Sequence, residues 1–231
     1  MPETAAAHRT VSRLGWLSSE PERFRQLVLE RSVFQKVGSD QVVYSAGDPA
    51  GGVFGLVSGG LRILVAPPES ASFSIHLFVP GSWTGEAAAV TGKQRLVTVV
   101  TTRETHLLHL PLAAVNAILR EDPEAFRSFA RLTHWHLATA LGVVDDLMLR
   151  DPHKRVLATL LRLSGCRSET PPELGPVDLD LAQDDLALMS NVGRTLANTL
   201  LRELEMAGQI EIGYRRIKVV APDELRQMIS K

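Results

Sequence analysis

Cysteine is almost missing from this 231-residue chain, which holds Cys166 and no other. One thiol excludes an intrachain disulfide and any cysteine cluster able to hold an iron–sulfur centre. Aromatic side chains are scarce at 5%, and neither charge is in excess: 25 Lys plus Arg stand against 26 Asp plus Glu. A nucleic-acid partner therefore needs a local basic face rather than a basic protein. No apolar run approaches the ~20 residues that cross a bilayer, so no membrane partner is expected. The opening MPETAAAHRTVSRLGWL lacks the apolar centre of a signal peptide, and the cytoplasm is the expected compartment. Also missing is any pairing of nucleophile with base, or any acid pair with a definable role. An enzyme is not expected.

The seven histidines form no ligand set of recognisable spacing. His134 and His136 lie two apart on a helix, and His106 and His109 three apart on a strand. Both spacings point the members of a pair to different faces. Scattered surface histidines are the simpler reading, and no metal site is expected. A haem or gas sensor stays an alternative, decided by whether added haem gives a Soret band.

What the chain has in supply is short apolar runs. Hydrophobic residues make up 45% of a length that suits one large domain or two small ones. From Gln41 to Leu110 these runs are broken by Gly47-Asp48-Pro49 and Gly59-Gly60, which are turn signals. In FSIHLFV, Phe73, Ile75, Leu77 and Val79 alternate with Ser74 and His76, as in a half-buried strand. RLVTVV and THLLHL read as two more strands, and the whole as a compact β-sandwich or roll.

At Asp122 the texture changes. Asp122-Pro123-Glu124 supplies a cap, a proline and an acid for a helix start. Phe126, Phe129, Ala130, Thr133, Leu137, Ala140, Leu141, Val144, Leu147 and Met148 then recur at three- and four-residue steps, a stripe of roughly seven turns. It ends at Asp151-Pro152, a hinge candidate. Phe129, Thr133, Leu137, Ala140, Leu141, Val144, Leu147 and Met148 are read as a dimer seam of coiled-coil type, with packing on the β domain as the alternative. Three stretches result: 1–121, 122–150 and 151–231. The last opens with the helical piece HKRVLATLLRL and the loop SGCRSETPPELGP.

The strongest signal is LDLAQDDLALMSNVGRTLANTLLRELEMAGQIEIGYRRIKVV. It divides into a helix from Gln183 to Met189, a turn at Ser190-Asn191-Val192, and a helix from about Gly193 to Met206. Asn191 stands where a helix-turn-helix needs a left-handed residue. Leu186, Ala187 and Val192 are expected to pack on Leu196, Leu200 and Leu204. Arg194, Thr195, Asn198, Thr199 and Arg202 then face outward, with chemistry suited to a DNA major groove: Arg to guanine, Asn to adenine, a Thr methyl to thymine. After Gly208 a β-hairpin wing carries Arg215, Arg216 and Lys218, placed to meet phosphates. The stretch 151–231 is not basic overall, with eleven Lys plus Arg against twelve Asp plus Glu. The register of the motif, rather than bulk charge, carries the reading.

With these motifs, and with Gly47-Asp48…Val57-x-Gly59 and PGSWTGE, the chain resembles the catabolite-activator/fumarate-nitrate regulator (CRP/FNR) family of bacterial transcription factors. The resemblance runs from about Leu27 to the C-terminus. It implies an α+β fold with a cyclic-nucleotide-binding-like β-roll, a long dimerisation helix and a C-terminal winged helix-turn-helix. It implies a homodimer on a two-fold symmetric operator, with half-sites ~34 Å apart. Double-stranded DNA and a second copy of the chain are the implied partners, with RNA polymerase a further one. Arg194 matches the family arginine that contacts a guanine. Thr195 and Thr199 replace the residues usual beside it, and Gly193 replaces a serine.

The effector pocket departs from the family. Gly85, Glu86 and Ala87 match the segment that holds a ribose, and Arg95 matches the phosphate arginine. Leu96 replaces the second phosphate ligand, and Ala140 and Leu141 replace the two hydroxyl residues that meet adenine. Lost hydrogen bonds at about 0.5–1.5 kcal/mol each weaken such binding by orders of magnitude. The expectation is a degenerate pocket not responding to cAMP, in which Glu86 and Arg95 pair with each other. Two alternatives stay open: a cyclic nucleotide held by Gly85, Glu86 and Arg95 in an altered pose, and a ligand-binding module that acts on a protein partner. No cofactor is expected beyond such an effector.

Overall fold

The computed structural model describes residues 2–66, 72–170 and 175–230; Pro171–Leu174 of the expected loop lies outside them. Two compact units divide the chain: 1–65 with 77–138, and 66–76 with 139–231.

The first unit begins with helices α1 (Pro2–Arg13) and α2 (Glu22–Arg31), which the strand-centred sequence reading did not anticipate. Strands β1 (Val33–Val37), β2 (Val42–Tyr44), β3 (Gly52–Ser58), β4 (Leu61–Val65), β5 (Phe73–Phe78), β6 (Trp83–Thr84), β7 (Thr98–Thr101) and β8 (Thr105–Pro111) follow, with α3 (Glu86–Thr91) between β6 and β7. One antiparallel sheet has the order β1-β8-β3-β6. A second runs β2-β7-β4, and β5 is at its edge. Period-two alternation along β3 and β8 sends side chains to two separate cores. Phe54, Leu56 and Leu107 enter a core with Tyr44, Leu61, Phe78 and Val99. Val53, Leu108 and Leu110 enter the other, which helices cover. Two readings of this region shift. Ser74 is buried and Val79 exposed, so FSIHLFV does not alternate as expected. The strand expected in RLVTVV starts only at Thr98, leaving Arg95 to Val97 outside it.

Helices α4 (Leu112–Glu121) and α5 (Ala125–Met148) close the helical core. Asp122 accepts from the Glu124 amide, but the turn at Pro123 delays the start of α5 to Ala125. Phe129 and Leu132 are fully buried; Phe129 lies 5.3 Å from Phe24 and 5.9 Å from Trp16 between ring centroids. The Trp16 indole donates to the Ser128 carbonyl at 3.0 Å. Phe129 therefore cannot belong to a seam between chains: its ring is consumed by its own unit. Thr133 is half-buried, its hydroxyl within reach of Glu86 and of the Phe129 carbonyl, each at 3.2 Å. Leu137, Leu141, Val144, Leu147 and Met148 are exposed by 57%, 56%, 54%, 39% and 75%. Within the stripe Phe129 is covered, whereas Phe126 before it and the stripe residues from Leu137 onward are bare.

In the second unit α5 continues to Met148, and α6 (Pro152–Leu163) follows with Asp151 capping it through the His153 amide. Then come β9 (Val177–Leu179), α7 (Gln183–Met189), α8 (Arg194–Met206), β10 (Ile210–Gly213), β11 (Arg216–Val219) and α9 (Pro222–Ser230). The expected hairpin gains a third strand, giving the order β10-β11-β9.

Candidate functional sites in the two units

In the second unit the α7–α8 turn is set by hydrogen bonds around one left-handed residue. Asn191, at φ 49°, follows the helix cap Ser190. Its amide donates to the Leu188 carbonyl and the Val192 amide donates to the Ala187 carbonyl, each at 3.0 Å. This double closure ends α7 and turns the chain into α8. Gly208 (φ 73°) ends α8 in the same way. The buried side of α8 is Ala197, Leu200, Leu201 and Leu204, all at most 4% exposed, against Leu186 and Ala187 of α7. Ala197 and Leu201 thus do more of the packing than Leu196, which is only half-buried.

The opposite side of α8 presents Arg194, Thr195, Thr199 and Arg202 to solvent, with Asn198 half-buried beside them. Arg194 lies 3.3 Å from the Asp184 carboxylate of α7, both exposed. On the hairpin, Arg216 pairs with Asp178 at 2.6 Å and Lys218 with Glu211 at 3.0 Å. Arg215 occupies the tip at φ 51° next to Tyr214, which is 94% exposed. Exposed pairs of this kind contribute about 0–1 kcal/mol, so a phosphate can displace the carboxylates. Arg155 underpins the turn: its guanidinium donates to the Leu149 and Arg150 carbonyls after α5, and to the Ser190 and Asn191 carbonyls after α7.

In the first unit, Gly85 to Arg95 forms a cradle closed by its own side chains. Arg95 is 4% exposed. It donates to the Gly85 and Gly52 carbonyls, both at 2.8 Å, and its guanidinium carbon lies 4.2 Å from the Tyr44 ring centroid. Desolvation lowers its pKa from the ordinary arginine value, opposed by Tyr44, Glu86 and Asp48. Its Nε is buried without a partner among the described residues. Gly85 has φ 97°, which favours glycine, and a Cβ there would stand 2.9 Å from the Gly52 carbonyl oxygen and displace the Arg95 guanidinium, 2.3 Å away.

Glu86 does not pair with Arg95, contrary to the expectation. It is 2% exposed and accepts from Thr133 at 3.2 Å, with His136 Nδ1 at 2.9 Å, one turn apart on α5. The pairing fails because Arg95 is turned toward carbonyls and an aromatic face instead. His136 is accordingly no loose surface histidine, whereas His134 is exposed. His109 contacts the Gly51 carbonyl at 2.9 Å and stacks on Phe54. Ala87 is half-buried, and Leu96, 84% exposed, projects away. Ala140 and Leu141 are exposed and belong to the other unit.

Two family models match the chain. Residues 34–122 match the cyclic nucleotide-binding domain, and residues 154–228 the Crp-like helix-turn-helix domain. The chain belongs to the CRP/FNR family of transcription regulators. Among its relatives is the global nitrogen regulator of Synechocystis, 25% identical over 86% of this chain and 95% of that one. The transcriptional regulator SdrP of Thermus thermophilus is 26% identical over 82% and 94%. In fold the regulator is similar to FixK2 from Bradyrhizobium japonicum, with a TM-score of 0.71 at 17% identity over 85% of this chain and 96% of that one. The c-di-GMP responsive regulator CLP from Xanthomonas campestris gives 0.64 at 19% over 87% and 99%.

This CRP/FNR regulator thus carries a helix-turn-helix DNA-binding domain. Among its described residues no helix is long and apolar enough to cross a membrane, and no group of His, Cys, Asp and Glu could hold a metal ion.

Tyr44, Phe54, Thr133 and His136 were missed as parts of the regulator's cradle. The step of three from Thr133 to His136 was the available signal, because it places both on one helix face. Tyr44 has a measurable signature. Its hydroxyl is bonded to Thr84 at 2.7 Å, and burial pushes its pKa up to about 12. An unfolded tyrosine titrates near 10, so the neutral phenol favours the fold. That stability is complete below about pH 10 and is lost as pH rises through 12, about 3 kcal/mol in all. Denaturant titrations from about pH 9 to 12 should show this alkaline loss in the wild type and not in Tyr44→Phe.

Proposed function

We propose that this regulator is a homodimer that reads a two-fold symmetric DNA site through α8, independently of cAMP. The observation that carries the reading is the solvent-facing set Arg194, Thr195, Asn198, Thr199 and Arg202 on a helix anchored from behind. Arg194 is placed in the first turn, where side chains reach base edges. Arg215, Arg216 and Lys218 of the wing hold phosphates, with Arg216 and Lys218 exchanging their carboxylate partners for them. Residues 1–121 act as the sensor, 122–150 as the dimer helix and 151–231 as the reading head, with RNA polymerase the machinery such a regulator acts on.

Leu137, Leu141, Val144 and Met148 follow one another at steps of four, three and four, the spacing of a coiled-coil seam. Ala140 and Leu147 flank it. So many apolar side chains left bare along one helix support pairing with a second copy.

The cradle supports nucleotide independence. A nucleotide phosphate would have to break the bonds of Arg95 to Gly85 and Gly52, while Thr133 and His136 already engage Glu86. The chain's own side chains thereby make the link from cradle to long helix that an effector would otherwise supply.

Selection from random duplexes should return a symmetric motif, and Arg194→Ala should relax one base position per half-site at a cost of about 1–3 kcal/mol. Recovery of no symmetric motif would favour a module that controls a protein partner. Leu141→Glu should convert the dimer to a monomer in sedimentation at micromolar concentration. Calorimetric titration with cAMP and cGMP should give no binding heat, and sub-micromolar affinity for either would overturn the closed cradle.

A further inference from the structure

Asp146 is a buried carboxylate on the long helix, next to an exposed one, Asp145. Both its oxygens are taken. Oδ2 accepts from Arg162 Nε and Oδ1 from Arg167 Nε, each at 2.8 Å. The side chains of Asp146 and Arg162 are 2% and 8% exposed, and that of Arg167 is 35% exposed. Arg162 stands near the end of α6, and Arg167 follows the turn that closes that helix at Gly165. The Arg162 stem runs past Gly142, one turn before Asp146: a Cβ there would stand 3.5 Å from Arg162 Cδ, an ordinary van der Waals contact.

At 100° per residue, Asp146 points about 180° away from Leu137 and lies opposite Leu141, Val144 and Met148. One side of α5 is thus free for a second copy, and the other is bolted to its own head. The form of the bolt matters. A single hydrogen bond leaves rotation about its own axis, whereas two bonds to separate residues fix a direction. Both terminal nitrogens of Arg162 are buried without a partner among the described residues. Asp146 is the carboxylate that faces this guanidinium. A buried pair contributes little net stability against an apolar replacement, so orientation explains its presence better than adhesion does.

We propose that Asp146 is a positioning residue for DNA reading: with Arg162 and Arg167 it sets the angle between the long helix and the head. In the dimer this angle fixes the separation of the two recognition helices, and the inference rests on that dimeric reading. The contact acts through orientation and touches no base.

The test varies the operator instead of the half-site. One base pair added or removed between half-sites moves them by about 3.4 Å and rotates them by about 34°. The wild type should lose about tenfold in affinity or more per base pair changed. Asp146→Asn and Arg167→Gln should reduce that penalty to about threefold or less, with the dimer and the affinity for an isolated half-site unchanged. Arg167→Gln removes only the more exposed arm, and it decides the matter if Asp146→Asn does not fold. Variants that keep the wild-type spacing penalty, or that weaken equally on every spacer and on the half-site, overturn the proposal. A wild type that selects no two-fold site removes the dimeric reading itself, and the proposal with it.

Discussion

Phe129 buried against Phe24 and Trp16 is the contact on which the long helix depends. It holds the first turns of α5 in the helical core. Thr133 and His136 then meet Glu86, the next turns lie bare, and Asp146 meets α6. A helix of 24 residues thus serves three environments in sequence. Apolar burial of an aromatic cluster is undirected but strong, and it supports the polar contacts that need direction.

The helix-turn-helix was the most legible part of the chain. Its helix limits, the left-handed Asn191 and the Gly208 stop all follow from local rules, and local rules decide them. The long stripe was legible as a helix and misread as a single face. A recurrence of three and four shows which residues share a side but not what lies opposite, so Phe129 was assigned to the wrong neighbour. Helices α1, α2 and α4 were not legible, although their buried faces form much of the larger core.

The cradle was legible as a location but not as a wiring diagram. Gly85, Glu86 and Arg95 could be placed from motif spacing, and opposite charges ten residues or so apart suggest a pair. What breaks it is the surroundings: Tyr44 and two glycine carbonyls offer Arg95 a face and two acceptors. Tyr44 and Gly52 come from β2 and β3, more than forty residues earlier in the chain. No reading of 85–95 alone contains them. Hydrogen-bond satisfaction inside a domain is a long-range property even when every residue type is visible.

Three cations of the reading head are already paired. Arg194, Arg216 and Lys218 each rest on a carboxylate of the same unit. For the contacts proposed here, association with DNA becomes an exchange reaction in which phosphate replaces aspartate or glutamate. The released carboxylates then gather small cations while DNA gives its own up. Part of the ion release that normally makes such binding steep in salt is cancelled within the protein. A head of this kind gives up some loose affinity for any duplex and is correspondingly less easily held by the wrong one.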